Sequence, residues 1–289
     1  MVVTKEEAMI VVGVDGSVPA RAAVAWAAND AFRMHQPLRL VCAVDRQPYQ
    51  IAKFPDADRP DRLRRAGQRA LNEAVALVHE RQPSVEVTAV LEEGPPARIL
   101  REQGKAAVEV VIGSRGLGAV TGALLGSVSD HVAGQAEAPV VVVHGGQRPA
   151  YGQIVVGVDD SPGCTPALAY AFQQASLRGS TLRAVHAWRR PVQAFGTELP
   201  HEAGADRVAR EDMVRACLEP FQRRYLDVTV IEDIRYADAV EALTRASEET
   251  DLLVVGSRGR AALSSALLGS VSRGVLHHAR CTVAVVRTG

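Results

Sequence analysis

The chain has 289 residues, 47% hydrophobic and 23% charged, a balance that suits one large or two ordinary folded domains and excludes wholesale disorder. Its 33 basic residues match 33 acidic ones, and a division after Arg148 leaves 17 of each before and 16 of each after. Without an excess of positive charge in either half, nucleic acid and anionic membrane surfaces are not expected partners. No stretch reaches the roughly 20 apolar residues of a membrane span. The opening Met1-Val2-Val3-Thr4-Lys5-Glu6-Glu7 carries acids and no long apolar run, unlike a signal peptide. Cys42, Cys164, Cys217 and Cys281 stand far apart and without metal-ligand spacing, so reduced thiols and a cytoplasmic location are expected.

Taken in order, the first half alternates. Met9 to Val14 is a short apolar run, as in a strand buried on both faces. Ala20 to Phe32 is Ala-rich and helical, and Leu38 to Val44 reads as a strand. Asp61 to Glu80 places Leu63, Ala66, Ala70, Leu71, Ala74, Val75, Leu77 and Val78 at helical spacing. Val85 to Leu91 reads as a strand, Pro96 to Lys105 as a short helix, and Val108 to Ile112 as a buried strand. Ser127 to Gln135 forms a helix and Val140 to Val143 a last strand. Strict alternation demands a parallel sheet with helices on both faces.

The second half repeats the first. Ile10-Val11-Val12-Gly13-Val14-Asp15-Gly16-Ser17 returns as Ile154-Val155-Val156-Gly157-Val158-Asp159-Asp160-Ser161, offset by 144. Gly113-Ser114-Arg115-Gly116 with Gly126-Ser127-Val128-Ser129 returns as Gly256-Ser257-Arg258-Gly259 with Gly269-Ser270-Val271-Ser272, offset by 143. Glycine and proline gather at 145–152, so the expected domains are 1–146 and 152–289. The fold class is therefore α/β: two tandem doubly wound, Rossmann-like domains, each a five-stranded parallel sheet.

In both copies a buried strand ends at Gly-Ser-Arg-Gly, nine residues follow, and Gly-Ser opens a helix. Ligands of open α/β sheets lie at the carboxyl ends of the strands, where strand order reverses. Glycine there admits close backbone approach or a positive φ, and a helix start offers free N–H groups and a favourable dipole to an anion. Ser127 and Ser270 add hydroxyl donors. Asp15 and Asp159, ending the first strand of each copy, suit a ribose hydroxyl or an adenine amino group.

These residues resemble the universal stress proteins. Gly-x-x-Gly, nine residues, Gly-Ser is similar to their nucleotide-binding pattern, and Val-Gly-Val-Asp-x-Ser to their first strand. The likeness covers nearly all of both copies and is that of a tandem member of actinobacterial type. It implies adenine-nucleotide binding, ATP in the ATP-binding branch, and a regulatory role in stress response or growth. Carried over, the nucleotide positions are Asp15, Ala43, Gly113, Gly116, Gly126, Ser127 and Val128, and in the second copy Asp159, Ala187, Gly256, Gly259, Gly269, Ser270 and Val271. Ala43 and Ala187 would bound adenine with backbone groups, and Mg2+ would be held through the phosphates. Family homodimers imply an intramolecular pseudo-dimer through Val140–Val143 and Val283–Val286, with a homodimer of the whole chain and a regulatory protein partner as further associations.

The copies differ in places. Glu93-Gly94-Pro95-Pro96 aligns with Asp233-Ile234-Arg235-Tyr236, so Gly94 gives the first site room near the nucleoside that Ile234 denies the second. At the phosphate end the first copy offers Arg115 with Asp130, and the second offers Arg258 and Arg260 with Arg273 in place of Asp130. His277 and His278 point about 100° apart on a helix and have no ligand partner at metal spacing. The expected function is an ATP-binding regulator rather than an enzyme, with loops 117–125 and 260–268 ordered by ATP. A slow ATP hydrolase or nucleotidyl transferase, which needs a general base or metal cluster, and a cAMP-binding regulator are the alternatives.

Overall fold

The structure is a computed structural model that describes residues 8–45, 59–117, 125–146, 148–189, 200–259 and 268–287. The chain divides into two compact units, Met1–Gln147 and Arg148–Gly289. The first contains β1 (Met9–Gly13), α1 (Val18–Met34), β2 (Leu38–Val44), α2 (Arg59–Arg81), β3 (Val87–Glu93), α3 (Pro96–Gln103), β4 (Ala107–Gly113), α4 (Ser127–Gln135) and β5 (Val140–Val143). Its strands lie in the order β3-β2-β1-β4-β5 and every pairing is parallel. The second contains β6 (Gln153–Gly157), α5 (Cys164–Arg178), β7 (Thr181–Trp188), α6 (Pro200–Arg224), β8 (Val230–Tyr236), α7 (Ala239–Ala246), β9 (Leu252–Gly256), α8 (Ser270–His278) and β10 (Thr282–Val286). Its order, β8-β7-β6-β9-β10, is likewise parallel.

Continuous apolar runs become central strands because helices cover both faces. Ile10, Val11 and Val12 are fully buried, as are Ile154, Val155 and Val156. In the first unit α1 and α2 pack together on one face, and α3 and α4 on the other. Small residues let the helices approach: a side-chain carbon at Gly113 would lie 2.7 Å from the Pro19 carbonyl carbon of α1, and one at Gly67 2.8 Å from Leu91 Cδ1. Strand order reverses between β1 and β4, and again between β6 and β9, so each unit has its crevice at the carboxyl ends of those strands.

One strand sits differently from its expected span. The third begins at Val87 rather than Val85, because Val85 N–H closes a turn onto Gln82 O at 3.1 Å while its side chain remains buried. Helix ends follow local chemistry. Ser17 caps α1 by accepting from Ala20 N–H at 3.2 Å, and His35 ends it at φ 52°, where the second unit uses Gly179 at φ 60°.

Candidate functional site

The carboxyl edge of the first sheet gathers Asp15, Ala43, Gly113, Gly116, Gly126, Ser127 and Val128. Val14 N–H donates to Val41 O at 2.8 Å, which sets Asp15 beside the last residues of β2, including half-buried Ala43. On the other side, Ser114 N–H donates to Val143 O at 2.9 Å and Gly126 N–H returns to Ser114 O at 2.8 Å. That second bond closes the loop after β4, so α4 starts beside the end of the strand. The second unit repeats both bonds, Ser257 N–H to Val286 O at 2.7 Å and Gly269 N–H to Ser257 O at 2.9 Å, bringing together Asp159, Ala187, Gly256, Gly259, Gly269, Ser270 and Val271. Residues 118–124 and 260–267, including Arg260 and most of the loops expected to respond to ATP, lie outside the described residues.

Ser127 and Ser270 are the first residues of their helices, not the caps; Gly126 and Gly269 hold the cap positions, and neither helix has a side-chain cap bond. The first-turn N–H groups therefore lack a capping oxygen and the serine hydroxyls are exposed. The next serine, overlooked as a site residue although it belongs to the repeated Gly-Ser-Val-Ser, ties helix to strand. Ser129 Oγ donates to Gly113 O at 2.8 Å and Ser272 Oγ to Gly256 O at 2.7 Å.

The three glycines of each copy serve three purposes. None of Gly113, Gly116 and Gly126, nor Gly256, Gly259 and Gly269, adopts a positive φ, so conformational freedom is not what they supply. Gly113 and Gly256 make room for the start of the helix that follows the first strand of each unit, at Pro19 and Gly163 respectively. Gly116 makes room for a carboxylate: a side-chain carbon there would meet Asp15 Oδ2 at 2.5 Å, and one at Gly259 would meet Asp159 Oδ2 at 3.0 Å. Gly126 and Gly269 are different. A side-chain carbon would make only ordinary contacts, 3.5 Å at Gly126 and 3.4 Å at Gly269, and φ is −81° and −62°. Serine, aspartate or asparagine would cap these helices at least as well as glycine. Among the described residues, neither strain nor packing accounts for glycine at this place in both units.

Asp15 is the hub of the first site. Its Oδ1 accepts from Ser17 N–H at 2.9 Å and its Oδ2 from Leu117 N–H at 2.9 Å. Asp159 Oδ1 accepts from Ser161 N–H at 3.1 Å and from Ser161 Oγ at 2.6 Å. These local bonds, formed with Ser17 and Ser161, were not anticipated from the sequence, although the shared Asp-x-Ser spacing carries their signal. Beneath Asp15, burial and then the Asp15 charge push the Cys42 thiol up to about 11.

The alignment expected after the third strand is corrected by the ladders. Val44 pairs with Glu93 and Trp188 with Tyr236. The next residues make equivalent bonds, Gly94 N–H to Val44 O at 3.0 Å and Ala237 N–H to Trp188 O at 3.1 Å. The counterpart of Gly94 is thus Ala237, not Ile234, which lies within β8. Gly94 has φ 139° and meets a backbone demand of its own turn, so the supposed loss of room at Ile234 does not exist.

With this geometry in view, the family model described as the universal stress protein family matches residues 9–144 and again residues 150–287. The chain belongs to the universal stress protein family. A universal stress protein of Mycobacterium tuberculosis is 37% identical over 292 residues, spanning 96% of each chain. Another, of Mycolicibacterium smegmatis, is 33% identical over 301 residues and 99% of each chain. A solved universal stress protein from Archaeoglobus fulgidus superposes with a TM-score of 0.72 at 19% identity, over 97% of this chain and 96% of that one, a likeness of fold. Like the first of these relatives in extent, this universal stress protein carries the family domain twice. Among the described residues no helix is long and apolar enough to cross a membrane.

Proposed function

We propose that each unit binds an adenine nucleotide, ATP foremost, and that the chain is a nucleotide-dependent regulator of stress response or growth. The observation that carries this reading is the pair of glycine caps. Gly126 and Gly269 leave the first-turn N–H groups without a side-chain cap, beside exposed Ser127 and Ser270, a setting that favours an anion through both hydrogen bonding and the helix dipole. Phosphate would be held by the N–H groups of Ser127 and Val128 and the Ser127 hydroxyl, and by their equivalents at Ser270 and Val271. Ala43 and Ala187 stand on the nucleoside side, two strands away from the phosphate end. Mg2+ would arrive bound through the phosphates.

Binding is favoured over hydrolysis. The carboxylate repeated at both sites is engaged by neighbouring donors, Ser17 and Leu117 at Asp15 and Ser161 at Asp159. It acts as a structural acceptor on the nucleoside side rather than as a base beside the terminal phosphate.

The test is to replace each glycine cap with aspartate. Gly126→Asp and Gly269→Asp supply a capping oxygen and a favourable charge to the helix start, so the fold is retained and thermal stability does not fall. The same carboxylate fills and repels the phosphate position. Nucleotide stoichiometry, measured by equilibrium dialysis with ATP and with cAMP, should drop by one per substitution. Two nucleotides retained by the folded double variant would overturn the assignment. Steady-state ATP turnover lost on these substitutions would favour the enzyme reading, and preferential cAMP binding the cyclic-nucleotide one.

A further inference from the structure

The two units differ at one contiguous place on the nucleoside side. At the end of β2 the first unit has buried Val44, paired with exposed Glu93 at the end of β3. Glu93 forms an exposed ion pair with Arg64 at 3.3 Å. The second unit has Trp188 and Tyr236 at those positions, with ring centroids 4.9 Å apart and planes at 79°. The helix above changes with them. In the first unit, Gly67 of α2 sits so close to the sheet that a side-chain carbon would touch Val44 Cγ2 at 3.4 Å. Counted back from the equivalent turns that follow the two helices, Gln82 and Tyr225, the residue matching Gly67 is Arg210. Its guanidinium lies 6.0 Å from the centre of the Trp188 ring. Three replacements that are scattered in sequence thus form one aromatic cluster, and Tyr236 remains 60% exposed.

This cluster continues the proposed nucleotide crevice. Along the carboxyl edge the order is Tyr236, Trp188, Asp159 and then Gly256, because the strands run β8-β7-β6-β9. Strands stand about 4.8 Å apart, so Trp188 and Tyr236 are roughly 10 and 14 Å across from the phosphate end. An extended nucleotide with its phosphates at Ser270 directs its base toward them. An aromatic face with an adjacent guanidinium stacks on any nucleobase, whereas Val44 and the Glu93–Arg64 pair offer no such face.

We infer that Trp188 and Tyr236 form a base-stacking platform that makes the second unit the tighter nucleotide site of the two. The inference rests on the nucleotide-binding reading above and adds to it which unit holds the base and by what contact. Stacking of one base on one aromatic ring corresponds to about a tenfold change in dissociation constant.

Trp26 and Trp188 are the two tryptophans of the chain, so Trp26→Phe leaves Trp188 as the sole indole reporter. The experiment titrates the full chain carrying Trp26→Phe and Gly126→Asp with ATP and, separately, with inorganic tripolyphosphate. ATP should change Trp188 emission saturably and tripolyphosphate should not. Adding Tyr236→Ala should weaken ATP about tenfold, leave tripolyphosphate affinity unchanged, and be rescued by Tyr236→Phe. Tyr236 is exposed, and an unchanged melting temperature would confirm that its replacement leaves the fold intact. ATP binding with unaltered emission and equal affinity in the Tyr236→Ala variant overturns the platform while sparing the nucleotide reading. Failure of ATP to bind the chain without the Gly126→Asp substitution overturns both.

Discussion

Gly116 and Asp15 are packed so closely that a methyl group on residue 116 would stand 2.5 Å from Asp15 Oδ2. The same oxygen accepts from Leu117 N–H at 2.9 Å, so the carboxylate clasps the turn that follows β4 from a position 102 residues away in sequence. Gly116→Ala should push this carboxylate aside and break the clasp, lowering stability by about 1–2 kcal/mol. Gly259→Ala should cost less, because the equivalent distance is 3.0 Å. Urea denaturation of the two variants checks the order. Equal losses would show that the closer approach at Gly116 carries no extra cost, and no loss at Gly116 that the clasp yields freely. The comparison also bears on the site itself: Gly116→Val would disturb Asp15 as well as any phosphate, whereas a side-chain carbon at Gly126 makes only ordinary contacts, with Arg115 Cα and Ser114 O at 3.5 Å.

Gly94 has φ 139° and its counterpart, Ala237, has no positive φ. Two turns that make the same bond to the end of the second strand therefore close with different backbones. A side-chain carbon at residue 94 would also lie 2.9 Å from Arg98 Nη2, the movable end of a long side chain, so the backbone term dominates. Gly94→Ala should destabilise the first unit by about 1–3 kcal/mol. Ala237→Gly should cost less than about 1 kcal/mol, the entropic penalty alone. Thermal unfolding of both variants measures the difference, and a neutral Gly94→Ala would mean that the turn has an alternative closure.

Most of the architecture is written in local pattern. The runs Ile10–Val12 and Ile154–Val156 announce buried parallel strands, and the glycine-serine echo at a near-constant offset announces duplication. What the residues alone leave open depends on three-dimensional neighbours. Identical glycines at 113, 116 and 126 read alike in sequence, yet one is pressed against a helix, one against a carboxylate, and one has only ordinary contacts with the turn at 114–116. The third-strand frame was misread because the copies share few identities between Asp45 and Ala107, and only strand pairing fixes Gly94 opposite Ala237. Trp188 and Tyr236 are 48 residues apart, so nothing local reveals that they meet.

The buried thiols predict an alkaline limit to stability. Burial pushes Cys164 up to about 12 and Cys281 up to about 12, and burial with the Asp15 charge pushes Cys42 up to about 11, from an ordinary value of 9.0. Below pH 9 these groups are protonated in both folded and unfolded chains, so their contribution is fully present. As pH rises from about 9 toward 11 or 12, the unfolded chain loses protons that the folded chain retains, and stability falls. Each thiol contributes a slope of at most about 1.4 kcal/mol per pH unit. Cys281→Ala should therefore lose less stability than the parent between pH 9 and 11 in urea titrations, whatever its loss at pH 7. Parallel curves would remove the thiol from the alkaline limb. Native labelling by a thiol reagent at pH 8 should begin at Cys217, which is half-buried, whereas the other three are buried.

Charge at the phosphate end separates the two sites in the same direction as the aromatic cluster. Position 130 in the first turn of α4 is aspartate, and its counterpart in the first turn of α8 is Arg273, which is exposed. The exchange alters the local charge by two units within a turn of the proposed phosphate position. Such charges act over a Debye length of about 8 Å at physiological salt. The second site should therefore prefer ATP over AMP more strongly than the first, and lose affinity more steeply as salt rises. Proteins carrying Gly126→Asp or Gly269→Asp isolate one site each, and titration with ATP and AMP at two salt concentrations measures both quantities. Asp130→Arg in the first site should raise its ATP-to-AMP preference and steepen its salt dependence, and Arg273→Asp in the second should do the reverse. Equal preferences and equal salt slopes at the isolated sites would show that the charge at this position is fully screened from the bound phosphates.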